Sequence, residues 1–290
     1  MPPISVLIKP SSGICNMKCD YCFYCDEMKK RMQESYGFMT EQTLKNVIRK
    51  TMLHAEGMIS YAYQGGEPTL RGIAFYEKAI EYQRNYNKCG IRVNNAMQTN
   101  GYLIDDEWCK FFKENHFLIG LSVDGTKQIH DLYRHGKSGE PTFDRIKKAA
   151  ELMDQYGVDY NILTVVTQKT AAHAAEIYNY YKEQGWKYQQ YIACLDPLGE
   201  DRGKTPYALN PEQYGMFLTE LFNLWYEDWK KGEQPYIRQF ENYIGILLGY
   251  QPESCEQRGS CGTQNVVEAD GSVYPVSYTH LRAHETPEHL

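Results

Sequence analysis

The chain has 290 residues, 42% apolar and 23% charged, with a formal charge of −6; that is enough for one large α/β domain or two ordinary ones, and too apolar for a disordered chain. An acidic balance with no basic stripe argues against a nucleic-acid partner. No apolar run reaches the ~20 residues that span a bilayer, and the N-terminal MPPISVLIKP lacks the basic and long apolar regions of a secretory signal. Nine cysteines, an odd number, argue against a disulfide framework and point to metal binding in a reducing cytoplasm.

The elements alternate along the chain. ISVLIK (4–9) is a predicted strand, followed by a cysteine-rich loop. A helix is expected over 40–55 with Thr40 as its N-cap, then a strand over 58–64, a helix over 72–86 and a strand over 91–98. A helix over 105–115, a strand over 117–123, a helix over 142–157 ending at Gly157, a strand over 159–166, a helix over 171–185 and a strand over 188–195 follow. Six such units imply parallel βαβ crossovers and a partial (β/α)6, TIM-like barrel with its site at the carboxyl ends of the strands. Past residue 200 two helices are expected, over 210–232 and 235–250, then a hairpin over 266–275 with Asp270-Gly271 as a two-residue turn. The 25 tyrosines are expected at half-buried core and surface positions.

Polar and glycine motifs follow the strand ends: the cysteine loop, QGGEP (64–68), QTNG (98–101), SVDG (122–125) and CLDP (194–197). The loop CNMKCDYCFYC (15–25) reads in two registers. Cys19, Cys22 and Cys25 open a ferredoxin-type run, but the place of its fourth ligand is taken by Lys29, so that register fails and Cys25 is a bystander. Cys15, Cys19 and Cys22 make C-x3-C-x2-C, which can hold three irons of a four-iron cluster and leave one open; a zinc site would want two ligand pairs. His130 and the other histidines are expected to be structural or at the surface.

The C-x3-C-x2-C loop after a first strand, with an aromatic at Tyr21, resembles the radical S-adenosylmethionine (SAM) superfamily. The resemblance implies a 4Fe-4S cluster on Cys15, Cys19 and Cys22, and SAM contacts at Tyr21, Gly66, Ser122, Arg134 and Leu195, with Gly66 at the methionine amino group and Arg134 pairing its carboxylate. Gln64, Gln98 and Asn100, with Tyr24, are expected substrate contacts. Over 1–275 the motifs CNMKCDYCFY, QGGEPTL, QTNG, GLSVDG, CLDPL, LWYED and VVEADGSVYP resemble anaerobic sulfatase-maturating enzymes.

That resemblance implies oxidation of a Cys or Ser in a Cys/Ser-x-Pro-x-Arg motif of a nascent sulfatase to Cα-formylglycine, an electron donor such as ferredoxin or flavodoxin, and a C-terminal SPASM domain with two auxiliary 4Fe-4S clusters. The expected division is a barrel over 1–235, an incomplete SPASM domain over 236–275 and a non-native tail over 276–290, whose reverse translation resembles a sequencing-library adapter. Cys255 and Cys261 resemble two auxiliary ligands but cannot complete a set. A further ligand and the general base of the family fall at Val276 and Ser277, so the chain is expected to bind one cluster and SAM yet not to complete maturation. The alternatives are another SPASM peptide maturase, forming a thioether or a quinone cofactor, or a non-enzymatic iron–sulfur electron carrier.

Overall fold

The computed structural model describes residues 3–30, 33–197, 199–253, 257–258 and 264–274. Its strands are β1 Ile4–Ile8, β2 Met17–Cys19, β3 Met58–Tyr63, β4 Arg92–Thr99, β5 Phe117–Ser122, β6 Arg134–Gly136, β7 Asp159–Val166, β8 Tyr188–Ala193, β9 Tyr236–Ile237, β10 Gln264–Val267 and β11 Val273–Tyr274. Its helices are α1 Phe23–Lys30, α2 Glu41–His54, α3 Ile73–Tyr86, α4 Asp106–Glu114, α5 Lys127–Tyr133, α6 Phe143–Tyr156, α7 Gln168–Ala171, α8 Ala174–Glu183, α9 Pro211–Trp229 and α10 Arg238–Leu247.

The expected partial barrel is present. Six strands lie parallel in the order β1-β3-β4-β5-β7-β8, each joined to its neighbour through helices. This order follows from right-handed crossovers that pack each helix back on the sheet. Apolar side chains on the inner faces of the helices bury against the strands: Leu44, Ile48 and Met52 from α2, Phe75, Tyr76 and Ile80 from α3, Trp108, Phe111 and Phe112 from α4. Many tyrosines are core residues that place their hydroxyl on a partner, as Tyr76 does on the Pro68 carbonyl (2.7 Å) and Tyr181 on the Val123 carbonyl (2.9 Å).

Local signals hold at most helix ends. Thr40 caps α2 by accepting the Thr43 N–H at 3.0 Å, and Gly157 ends α6 in the left-handed conformation. The helix expected over 171–185 is instead two. Thr167 caps α7 early by accepting the Thr170 N–H, and His173 leaves helical geometry before α8 begins. The Asp270-Gly271 hairpin turns over three residues, not two. Glu268 N–H donates to the Ser272 carbonyl and Gly271 N–H to the Glu268 carbonyl, both at 2.9 Å, with Gly271 at φ 94° taking the left-handed place in the loop.

The two ends of the 236–275 region extend opposite edges of the same sheet: β9 pairs parallel to β8, and β10 pairs parallel to β1. A buried trio fixes the second edge. Lys9 Nζ lies 3.7 Å from Glu27 on α1 and 3.5 Å from Glu268 beyond β10. Nothing in the local sequence around Lys9 signals this role. No helix among the described residues is long and apolar enough to cross a membrane.

Candidate functional site

The loop from Lys9 to Cys22 is folded by its own backbone: Ser12 N–H donates to the Lys9 carbonyl and Ile14 N–H to the Ser11 carbonyl. Its far end is clamped by the short antiparallel pair β2–β6, which sets Cys19 opposite Arg134, and by Asp20 N–H on the Tyr133 carbonyl (2.9 Å). Cys22 ends the loop, and the Cys25 and Asp26 N–H groups close the first turn of α1 on its carbonyl. Cys15, Cys19 and Cys22 thereby line one cavity of about 180 Å³ at the carboxyl ends of the strands.

The same cavity is lined by Tyr21, Gly66, Ser122, Arg134 and Leu195, and by Tyr24, Gln64, Gln98 and Asn100. The topology therefore brings together every cavity candidate named from the sequence. Cys25 is not among them and faces a neighbouring cavity with Asp20, Asp26, Lys29 and Asp196. Cys255, Cys261, Val276 and Ser277 lie outside the described residues.

Burial dominates at Cys15 and Cys19. It pushes Cys15 up to about 11, with the nearby Glu67 charge adding, and Cys19 up to about 12 against the pull of the Arg134 guanidinium. Cys22 is drawn down to about 6, chiefly by the Cys25 thiol bonding to it and then by the Cys25 and Tyr24 N–H groups, all against burial; Cys25 itself is driven up. Donors converge on the sulfurs: Met17 N–H (3.4 Å) and Asn100 Nδ2 (3.5 Å) on Cys15 Sγ, and Arg134 Nη1 on Cys19 Sγ (3.9 Å).

QGGEP does more than let a ligand approach. Gly66 N–H and Glu67 N–H donate to the Ser12 and Ile14 carbonyls, both at 2.8 Å, so the motif is a dock for the cysteine loop. A Cβ on Gly66 would lie 2.1 Å from the Ile14 carbonyl oxygen and 2.6 Å from the Gly13 carbonyl carbon. The loop backbone cannot yield that distance and keep its bonds. Gly66→Ala is therefore expected to displace the cysteine loop and sharply reduce bound iron after reconstitution; full iron content by colorimetric assay would show the dock is dispensable.

Glu67, fully buried, continues the dock. Its Oε1 accepts from Thr69 N–H (3.0 Å), the Thr69 hydroxyl (2.6 Å) and the Thr99 hydroxyl (2.7 Å), and its Oε2 from Asn100 N–H (2.8 Å). Burial raises its pKa and these donors oppose the rise.

Asp124, in SVDG, is the residue the sequence reading missed. Its carboxylate accepts from the Tyr21 hydroxyl, from Arg134 Nε (2.9 Å) and from Val165 N–H (2.9 Å). Arg134 thus reaches the cavity with its Nε end already paired, and its guanidinium lies 5.6 Å from the Tyr21 ring centroid. Ser122 Oγ makes no hydrogen bond among the described residues. The signal that could have found Asp124 is a carboxylate two residues past a strand end in a site whose arginine needs a buried counter-charge.

His130 is structural, as expected. Its Nδ1 accepts the Asp124 N–H (3.2 Å). Its Nε2–H donates to Thr142 Oγ1 (3.2 Å), because the Thr142 hydroxyl spends its own proton on the Arg134 carbonyl (2.9 Å). Burial, then the Arg134 charge, hold the ring well below the ordinary 6.5. The unfolded chain therefore takes up a proton that the native state refuses. Stability should fall as pH drops below ~6.5, at up to about 1.4 kcal/mol per pH unit from this group. Urea midpoints for the wild type and His130→Gln across this range check it: the variant should have a flatter profile, and parallel profiles would refute the assignment.

Among the described residues no three Cys, His, Asp or Glu side chains converge on a point that could hold a single metal ion. The three thiols line one cavity, with the Met17 N–H and Asn100 Nδ2 on Cys15 Sγ, a soft donor set of the kind that holds an iron–sulfur cluster. Residues 10–181 match the radical SAM superfamily. The chain is 47% identical, over 96% of its length and 75% of the relative's, to the cysteine-type anaerobic sulfatase-maturating enzyme of Clostridium perfringens.

The chain belongs to the anaerobic sulfatase-maturating enzymes of the radical SAM superfamily.

It is also 32% identical to the serine-type enzyme of Bacteroides thetaiotaomicron, over 94% of this chain and 69% of that one. The solved structure of native anSMEcpe with bound AdoMet and Cp18Cys peptide superposes with a TM-score of 0.91 at 47% identity, covering 97% of this chain and 76% of that chain. The chain thus spans 69% to 75% of the length of these members of the family.

Proposed function

We propose that this chain carries the radical-generating half of an enzyme that oxidises a Cys or Ser in a Cys/Ser-x-Pro-x-Arg segment of a sulfatase, holding a 4Fe-4S cluster on Cys15, Cys19 and Cys22 and SAM in the same cavity, without itself completing the maturation. The observation that carries this is the cavity in which the three loop thiols meet Gln64, Gln98, Asn100 and Ser122 at the ends of β3, β4 and β5, together with Arg134. Bound there, the cluster and SAM supply one-electron chemistry that takes a hydrogen from the target Cβ on the way to formylglycine.

The chain's own residues hold and orient. Arg134, anchored by Asp124, offers its remaining N–H groups to a carboxylate. The Gly66 backbone, Ser122 and Leu195 line the rest of the SAM space, and Tyr21 holds its ring there through its bond to Asp124. Gln64 and Gln98, whose side chains make no hydrogen bond among the described residues, and Tyr24 face the peptide side. An external carrier such as ferredoxin or flavodoxin delivers the electron. The barrel of 1–235 does this work, its sheet continued at both edges by β9 and β10 of the 236–275 segment, in which the SPASM domain would begin. Auxiliary clusters belong to the complete set of ligands, of which Cys255 and Cys261 are two.

The general-base position holds Ser277, whose hydroxyl cannot accept a proton near neutral pH. The test is anaerobic reconstitution with iron and sulfide, reduction, and mass spectrometry with SAM and a Ser-x-Pro-x-Arg peptide. The 290-residue chain should release 5′-deoxyadenosine and leave the peptide mass unchanged. No SAM cleavage from a cluster-loaded chain would overturn the radical reading. Loss of two hydrogens from the target serine would overturn the assignment of the base.

A further inference from the structure

Resting on the cluster assignment above, we infer that Asn100 is a positioning residue for the cluster thiolate of Cys15 and not a substrate contact. The accounting of its amide leads there. An asparagine side chain has two N–H donors and one oxygen acceptor. Both donors are spent on the cysteine loop: Nδ2 lies 2.8 Å from Asn16 Oδ1 and 3.5 Å from Cys15 Sγ. The oxygen accepts the Tyr102 N–H at 2.9 Å. This last bond fixes the amide's orientation, since the flipped form would set an NH₂ group against an N–H. No donor is left over for a peptide, and the oxygen keeps only its second lone pair.

The backbone beneath it is equally constrained. Asn100 N–H donates to Glu67 Oε2 at 2.8 Å, and Glu67 is the buried end of the motif that docks the cysteine loop. The residue is 7% exposed, so its amide works where water competes poorly. A line of bonds runs from QGGEP through Asn100 to Cys15, ending on the same sulfur that the Met17 N–H meets from the other side. Hydrogen bonds to cluster sulfurs tune the reduction potential. A donor on Cys15 Sγ favours the more electron-rich, reduced cluster, and its removal makes reduction harder. Outer groups that orient metal ligands matter in this way to both affinity and electronics.

The test is an EPR-monitored redox titration of the reconstituted cluster in the wild type, Asn100→Asp and Asn100→Leu, with iron content measured alongside. Asn100→Leu removes the N–H donors without adding charge and so decides the comparison; Asn100→Asp keeps the shape, the backbone bond and the oxygen facing Tyr102, but its carboxylate adds a negative charge that itself lowers the potential. Both variants should titrate at a more negative potential than the wild type. Binding of a Cys-x-Pro-x-Arg peptide, read by fluorescence anisotropy, should be unchanged. Unchanged potentials in variants with full iron content would overturn the inference, and so would loss of peptide binding at unchanged potential. If neither variant assembles a cluster, pulsed EPR on wild-type chain carrying ¹⁵N in its asparagine amides decides: a nitrogen coupling to the reduced cluster supports the contact and its absence overturns it. A wild-type chain that takes up no cluster overturns the functional reading itself, and the inference with it.

Discussion

Replacing Cys15, Cys19 or Cys22 singly by alanine should abolish cluster assembly and SAM cleavage, while Cys25→Ser should leave both near the wild-type level. The three thiols are the cysteines that face the main cavity from the loop, and each occupies a separate corner fixed by a different element: the QGGEP dock for Cys15, the β2–β6 pair for Cys19 and the start of α1 for Cys22. Loss of one ligand leaves two loop thiolates for a cluster that needs three protein contacts.

Cys25 is the obvious substitute by sequence, but it faces a second cavity and its role is to donate to Cys22. A serine hydroxyl keeps that donor, which is why the conservative change should be silent. Assembly also displaces thiol protons, and burial holds Cys15 and Cys19 at about 11 and about 12. Reconstitution should accordingly proceed better at higher pH. Iron and sulfide analysis with 5′-deoxyadenosine quantitation reads the series. A Cys25→Ser chain that loses its iron would move the cluster to the other register.

The second large effect should come from Asp124→Ala, which is expected to destabilise the fold by about 3–5 kcal/mol. Asp124 and Arg134 are 3% and 7% exposed. Without the carboxylate the guanidinium stays buried with no counter-charge, and the Tyr21 hydroxyl and Val165 N–H lose their acceptor. Against a typical total of about 5–15 kcal/mol this is a large fraction of the stability. Urea unfolding should show a lower midpoint at unchanged slope.

Arg134→Met in the Asp124→Ala background should recover part of the loss, because it removes the orphaned charge; the double-mutant cycle then gives the coupling between the two. A midpoint for Asp124→Ala within error of the wild type would mean the pair contributes nothing. The same substitution should also weaken SAM binding, since Asp124 holds both Arg134 and Tyr21 at the cavity wall.

Much of this molecule was legible in one dimension. Strands separated by amphipathic helices dictated parallel βαβ units, because the two hydrophobic periods are local properties of the chain. Thr40 and Gly157 marked helix ends for reasons confined to one turn. The spacing of Cys15, Cys19 and Cys22, and the motifs at the strand ends, placed the site at one end of the sheet. Where the reading slipped, the cause was again local: Thr167 started a helix early and His173 broke it, and Glu268 turned the hairpin over three residues.

What only the tertiary structure decided is who partners whom. Cys19 meets Arg134 across β2–β6, Glu67 meets Thr99 and Asn100, Asp124 meets Tyr21 and Val165, and Lys9 sits between Glu27 and Glu268. Each pair joins segments distant in the chain, and a buried polar group advertises its need for a partner without naming it. The sequence by itself pointed to Cys15, Cys19 and Cys22 at the strand ends, because the cysteine spacing, the motifs that follow the other strands and the family resemblance they carry agree. The fold determined that Gly66 is small because the cysteine loop rests on it, and that the Asn100 amide meets Cys15 and Asn16, since those are facts about close contact that exist only once the strands are side by side.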